Sequence, residues 1–479
     1  MATYYVAKTG LDSNPGTESL PWLTLKKATN TLVAGDTVYI KAGTYNEVLN
    51  PARSGTASGW ITFSNYMADV VNINAPGTAY CNTRVWYNYI RFLGLNFTGF
   101  VTGAALDANG ISYLTLFNCF FTNCAKSGIE VNNSNHILVD TCETFGTNLT
   151  PMNECISFST VDTFEIRNCK VHDAVATQRN GIDTKVGCRN GIVHHNEVYN
   201  VYNALYVDSR GNSDNIKFYY NDIHDTVADA LGINDELNIG TITNIWFYNN
   251  IVYRCHRAFS VYDGVLINFN FINNTLYSNA ASGFTEIWID APASRLSNCV
   301  VRNNIVFSTA VNTYGIWYAD YANGNVAIDH NLSYNSAGAW HSGNMLGEDA
   351  VTLDPQFVNP SIGDFRLQPG SPAIGTGYGG VNIGAEDSIA FPSGVVKTAK
   401  VPVTVIPSGI PCTMEVWLGT NINTKVTTSG QIMFTSTGNS QLVSAPIMMP
   451  IPGQYNCYID LRTGSYLFAS FNDQVVIVA

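Results

Sequence analysis

Residues 180–236 read NGIDTKVGCRNGIVHHNEVYNVYNALYVDSRGNSDNIKFYYNDIHDTVADALGINDE, and three copies of one short strand stand out in them. Gly181-Ile182-Asp183-Thr184-Lys185 aligns with Ala204-Leu205-Tyr206-Val207-Asp208 and with Ala230-Leu231-Gly232-Ile233-Asn234. Apolar and variable positions alternate in step, and a period of two sends one set into a core and the other outward. The outward set is Asp183, Lys185, Tyr206, Asp208, Asn234 and, on the same parity, Glu236.

A chain of 479 residues is too long for one compact domain unless its core grows along an axis, as in a repeat protein. Only 13% of its residues are charged and 12% aromatic, while Asn, Thr and Gly are abundant, which suits many short strands joined by turns. The net charge of −12 argues against nucleic acid, because phosphate binding needs concentrated Lys and Arg. No run reaches the roughly 18 consecutive apolar residues of a spanning helix, so a membrane is not an expected partner. The opening MATYYVAKTG has neither a basic nor an apolar leader region; the expected location is extracellular or secreted, with any signal segment outside this sequence.

Eleven cysteines form no C-x-x-C pair and no Cys/His cluster at zinc spacing. Cys119 and Cys169 each follow an asparagine at equivalent repeat positions and read as small buried hydrophobes. Cys412 and Cys457 stand apart, and a disulfide between them is left open.

Taken in order, the chain offers one amphipathic helix, Trp22 to Leu32, then a strand at Thr37-Val38-Tyr39-Ile40. A short helix over an apolar end protects a solenoid from edge pairing. From Trp60 onward short β-rich runs recur with a marker: Asn96, Asn118, Asn168, Asn196, Asn221, Asn250, Asn274, Asn304 and Asn331 each follow a strand and precede another. Cys142 fills the slot between Asn118 and Asn168, and from Asn118 to Asn331 the markers are 24, 26, 28, 25, 29, 24, 30 and 27 residues apart. A rung of three short strands and three turns fits that length. Asparagine tolerates the left-handed backbone region and can hydrogen-bond to the next one in a stack, so this ladder reads as scaffold.

The Asn turn, Ala34-Gly35-Asp36-Thr37-Val38-Tyr39-Ile40 and Phe365-Arg366-Leu367-Gln368-Pro369-Gly370-Ser371-Pro372-Ala373-Ile374-Gly375 together resemble right-handed parallel β-helix proteins of the carbohydrate-active group. That group holds pectate lyases, alginate lyases and epimerases, and several β-helix glycoside hydrolases. The resemblance covers roughly residues 3 to 388 and implies an all-β fold: a right-handed single-stranded parallel β-helix of about 10–12 rungs with a short capping helix. The pattern stops after Asp387, and the remaining alternating strands with Pro and Gly turns read as a small β-sandwich. The expected domains are residues 1–390 and 391–479.

In the family that is resembled, the strand after the turn that follows the Asn strand lines the substrate groove. Extended along the chain, that column contains Glu130 and Asn132, Ser157 and Ser159, the residues of the opening stretch, Ser260 and Tyr262, then Glu286, Trp288 and Asp290, and Trp317. Rungs are about 4.8 Å apart and alternate residues about 6.6 Å apart, which predicts an ion pair between Lys185 and Asp208 and Cα atoms of Asp208 and Glu236 roughly 8 Å apart. Glycoside cleavage needs one protonated and one ionised carboxyl. Asp208 beside Lys185 is the expected carboxylate, Glu236 the acid and Asp183 the reserve. The same arrangement looks like β-helix xylosidase-type glycosidases. Tyr206, Tyr262, Trp288 and Trp317 are expected to stack on sugar rings, and Asn234, Asp235, Arg210, Asp290 and Glu130 to line the groove.

Two rivals remain. A polysaccharide lyase or epimerase would use Lys185 as base, with Ca²⁺ held by Asp183, Asp208 and Asp235. Against it, the acids Glu130, Asp183, Asp208, Glu236, Glu286 and Asp290 face only Lys185 and Arg210, a sign that repels a polyanion unless a metal intervenes. A phage-type tail fibre or adhesin would be a trimeric, non-catalytic shaft. The preferred expectation is a glycoside hydrolase acting on a poly- or oligosaccharide, with no required cofactor, Ca²⁺ entering only with the lyase, and a monomeric or homo-oligomeric state.

Overall fold

The computed structural model describes the chain except residues 76–82, 101, 148–152, 175–178, 236, 238, 281–283, 311–312, 320–324, 336–346, 386–390, 393–395, 404–410, 422–423, 429–431, 436–440, 449–452, 464–465 and 479; for Asn335 and beyond Ala385 it describes backbone alone. The chain divides into two units, Met1–Ala385 and Glu386–Ala479.

The first unit is a parallel β-helix. One rung runs through the strands Leu205–Ser209, Ser213–Tyr219 and Asp222–His224 before the next begins at Asp229. Each strand pairs in parallel with its equivalent one rung on, so every backbone row is met by a neighbour and the core lengthens with each turn. The strand alignment made from sequence is the observed register: Asp183 pairs with Tyr206 and Lys185 with Asp208, then Tyr206 with Gly232 and Asp208 with Asn234. Ile182, Leu205, Leu231, Phe259 and Ile287 form the matching inward row, and all are fully buried.

At the N-terminal end the helix is shorter than the periodicity suggests, Leu25–Thr31. Thr24 caps it by accepting the Lys27 N–H, and Leu25 and Ala28 seat it on the first rung. Trp22 lies before the helix as a bridge partner of Val6. The strand Thr37–Ile40 is where the sequence puts it.

The asparagine ladder is real, and its sequence-based register needs one correction. Asn196, Asn221, Asn250, Asn274, Asn304 and Asn331 are buried, and successive members donate Nδ2 to the next Oδ1 at 2.9–3.0 Å. Each also donates to a carbonyl of an earlier rung; Asn250, for example, reaches the Phe218 O at 3.0 Å. Asn118 and Asn168 are not members: they stand one position earlier, exposed, at φ 51° and 53°. The buried slot on those rungs holds Cys119, Cys142 and Cys169, whose thiols stack in the core as small hydrophobes. The left-handed turn residue and the ladder residue are thus adjacent but separate positions. His195, Tyr220, Asn249, Asn273, Asn303 and His330 occupy the left-handed one where the ladder is Asn. Asn96 lies within the strand Asn96–Thr98 and hydrogen-bonds to Asn72.

The second unit is built mainly from antiparallel strands, with Pro411–Asn421, Gly453–Thr463 and Tyr466–Val478 in one sheet and Val396–Val403 paired with Gln441–Met448 in another. Cys412 faces Phe434 and Cys457 faces Leu418. Six residues of strand, about 20 Å, separate Cys412 from the partner of Cys457, which no disulfide spans.

Candidate functional site

The outward column lies on the wall formed by the first strand of each rung, and part of it is recessed into a cleft of about 290 Å³. The cleft spans the strands Asn153–Arg167, Arg179–Lys185, Leu205–Ser209 and Asp229–Asp235, and it is lined by Lys185, Tyr206, Asp208, Arg210, Asn234 and Tyr262 among the expected residues.

Lys185 does not pair as expected. Its Nζ is 2.8 Å from Glu154 Oε1. Glu154 is the register partner of Asn180, five residues before Lys185, so the ion pair reaches back toward the start of the strand. Asp183, outward by parity, is only 1% exposed. Burial pulls the Lys185 pKa down, but Glu154, Asp183 and Asp208 outweigh it and the ammonium is held above its ordinary value. Asp183 moves the other way: burial first, then the charges of Glu154 and Asp208, push its carboxyl well above the usual carboxylate range. Oδ2 of Asp183 accepts from Asn180 Nδ2 at 3.2 Å, while Oδ1 is buried with no hydrogen-bond partner among the described residues.

Tyr206 reaches across the next rung because residue 232 is glycine. A Cβ there would stand 2.3 Å from its ring. At the far side of the cleft, buried Asp229 accepts from Tyr262 Oη at 2.6 Å and Ser260 Oγ at 2.8 Å, and Arg257 Nη1 lies 3.4 Å from its other oxygen. Arg257 in turn sits 4.6 Å from the centre of the Trp288 ring. Trp288 packs against Tyr262 edge to face at 4.9 Å and stacks on Trp317 at 6.0 Å, placing both tryptophans on the rungs beyond the cleft.

Several expected residues are elsewhere. Asp235 has the opposite parity, pairs with Ser209, is wholly buried, and accepts from the Gly240 N–H, so it is neither a groove residue nor able to join Asp183 and Asp208 around an ion. Glu286 keeps outward parity but is wholly buried in a corner, where it accepts the N–H groups of Asn279 and Ala280; burial lifts its pKa to about 7. Glu130 lies two rungs before Asp183 and accepts from Asn132. Asp290 is exposed beyond the cleft. Glu236 falls outside the described residues. Among the described residues no group of three or more His, Cys, Asp or Glu is placed to hold a metal ion, and no helix is long and apolar enough to cross a membrane.

Sequence reasoning missed Glu154, Asn180, Asn203 and Asp229, all of which line the cleft. They fill one further aligned column, three residues before Ser157, Asp183, Tyr206 and Gly232. Four polar residues in register at or just before the start of a strand are the signal for them, one that alternation about the strand centre does not contain.

Residues 4–171 match the family model for the Pel9A-like, right handed beta helix region. A segment of 75 residues is 43% identical to the uncharacterized protein YwoF of Bacillus subtilis (strain 168), and the match spans 16% of each chain's length. Among solved structures, pectate lyase Pel9A aligns with a TM-score of 0.51 at 15% identity over 80% of this chain and 96% of its own. The GH136 lacto-N-biosidase from Eubacterium ramulus gives 0.48 at 12% identity over 74% and 67%. The surface adhesin PfbA of Streptococcus pneumoniae gives 0.34 at 12% identity over 66% and 87%. The segment matched to the family model ends before Asp183, Lys185 and Asp208. The Met1–Ala385 unit carries the right-handed parallel β-helix fold of pectate lyase Pel9A, with a sequence match to that β-helix region over residues 4–171.

Proposed function

We propose that the chain is a carbohydrate-active enzyme that hydrolyses glycosidic bonds of a poly- or oligosaccharide in this cleft. The observation that carries the reading is the pair Asp183 and Asp208, one rung and two residues apart, with Cα atoms about 8 Å from each other. One is buried with its carboxyl pushed well up; the other lines the cleft. Environments that separate two carboxyls in this way suit one proton donor and one carboxylate. Asp208 acts as nucleophile or base, and the proton comes from Asp183 or from Glu236.

The charge balance has changed from the sequence-based tally. Glu130, Glu286 and Asp290 do not line the cleft, and of the acids that do, Glu154 is matched by Lys185 and Asp229 by Arg257, so the cleft is less hostile to an anionic sugar than the bare column suggests. Elimination is disfavoured on a different ground: the Lys185 ammonium is paired with Glu154 at 2.8 Å and its pKa is held above the ordinary value, which does not suit a base.

The test is incubation with neutral xylan and β-glucan and with pectin and alginate, with and without chelator, following reducing ends and the absorbance of unsaturated product. Hydrolysis gives reducing ends without the chromophore, insensitive to chelator, and Asp208→Asn lowers kcat by about 10²-fold or more. A chelator-sensitive chromophore would overturn the reading.

A further inference from the structure

Asp229 and Tyr262 both line the cleft, and the hydrogen bonds between them divide their labour. The Tyr262 hydroxyl donates to Asp229 Oδ2 at 2.6 Å and faces Arg257 Nη1 at 3.4 Å, so both its donor and an acceptor position are engaged within the protein. What Tyr262 has left to offer is its ring, 36% of the residue being exposed. The carboxylate of Asp229 is 2% exposed and already accepts from Ser260, Tyr262 and Arg257. Trp288 closes the back of the ring edge to face, and the Arg257 guanidinium lies over Trp288, so the tyrosine is held at its tip and behind its ring. Among the described residues Trp288 is the one aromatic ring packed against it.

We propose that Tyr262 is a stacking wall of the cleft, meeting the apolar C–H face of a sugar residue with its ring and not with its hydroxyl, and that Asp229 is the positioning residue that keeps it there. The proposal rests on the carbohydrate reading of the cleft and not on hydrolysis. Aromatic rings recognise pyranose faces because the C–H groups on one side of the sugar form an apolar patch, whereas ring hydroxyls call for groups with unused donors or acceptors. Asn180 and Asn203 spend their amides on Asp183, on each other and on the Asp229 N–H, which leaves the cleft-lining side chain of Asn234 as the hydroxyl-reading side of the same subsite.

The experiment is native affinity electrophoresis of the whole chain in gels containing neutral xylan, mixed-linkage β-glucan, pectin or alginate, with melting temperatures taken for every variant. At least one polysaccharide retards the wild type. Tyr262→Ala weakens the dissociation constant about tenfold, the scale of a lost aromatic contact, while Tyr262→Phe, which keeps the ring but not its tether, weakens it about two- to threefold. Asp229→Ala falls close to Tyr262→Ala. Asp229→Asn keeps an oxygen that accepts from the phenol and recovers most of the binding, a rescue that a merely structural aspartate would not show. Equal losses for Tyr262→Phe and Tyr262→Ala would make the hydroxyl the sugar contact and overturn the proposal, as would wild-type binding by Tyr262→Ala. Retardation by none of the four polysaccharides would overturn both the stacking wall and the carbohydrate reading. Retardation that depends on Tyr262 without release of reducing ends would sink hydrolysis alone and leave the wall standing.

Discussion

Glu286 shows how little the parity of a residue says about its surroundings. It stands in the outward column, two residues before Trp288, yet its carboxyl is enclosed and caps the N–H groups of Asn279 and Ala280 through one oxygen. Its pKa rises from 4.5 to about 7 because burial disfavours the charge more than the two N–H groups favour it. The native chain therefore binds a proton that the unfolded chain releases. The resulting stability is complete below the unfolded pKa and is lost as pH climbs through 7, a decline of about 3 kcal/mol from this one group. Glu286→Gln cannot titrate, so its unfolding free energy relative to wild type rises by that amount between pH 4 and pH 8; parallel curves in urea titrations would contradict the assignment. Lys185 is the other case in point. Register alone brings its Cα opposite Asp208, but a four-carbon stem lets the ammonium choose Glu154, and side-chain reach is not legible from strand alignment. The positions of Asp183, Asp208 and Tyr206 were legible because backbone register fixes them; their burial was not.

The turn between strands carries a second lesson about adjacency. Asparagines recur there for two reasons, left-handed backbone at one position and amide stacking at the next, and a marker chosen by residue type merges them. The two positions should respond differently to substitution. Asn250→Ala deletes the amide that joins Asn221, Asn274 and the Phe218 carbonyl in the core, leaving buried polar groups unsatisfied at a cost of about 3 kcal/mol. Asn118→Gly, at an exposed φ of 51°, changes stability by less than about 1 kcal/mol, since glycine adopts that region without strain. Denaturant midpoints of the two variants check this, and similar losses would mean that one ladder runs through both positions. Cys119, Cys142 and Cys169 show that the buried slot asks first for a small side chain and only secondarily for an amide.

At the scale of the molecule, the fold was readable because a parallel β-helix writes the same rung repeatedly, so errors in any one strand are corrected by its neighbours. Spacing of 24 to 30 residues, period-two alternation and turn asparagines all pointed to one architecture. The cleft is written only once, across four strands, and no repetition corrects a mistaken partner such as Asp235 or a missed one such as Asp229. Nor does the architecture choose a reaction, since one fold can carry sites of different chemistry. What separates the two chemistries is the fate of water. The most direct measurement is cleavage of the preferred polysaccharide in ¹⁸O-enriched water, with mass spectrometry of the released ends. Hydrolysis through Asp208 and its protonated partner places one solvent oxygen in each cleaved bond, and this incorporation disappears with Asp208→Asn. Products that carry no solvent oxygen and lack the elements of one water would show elimination and contradict the account.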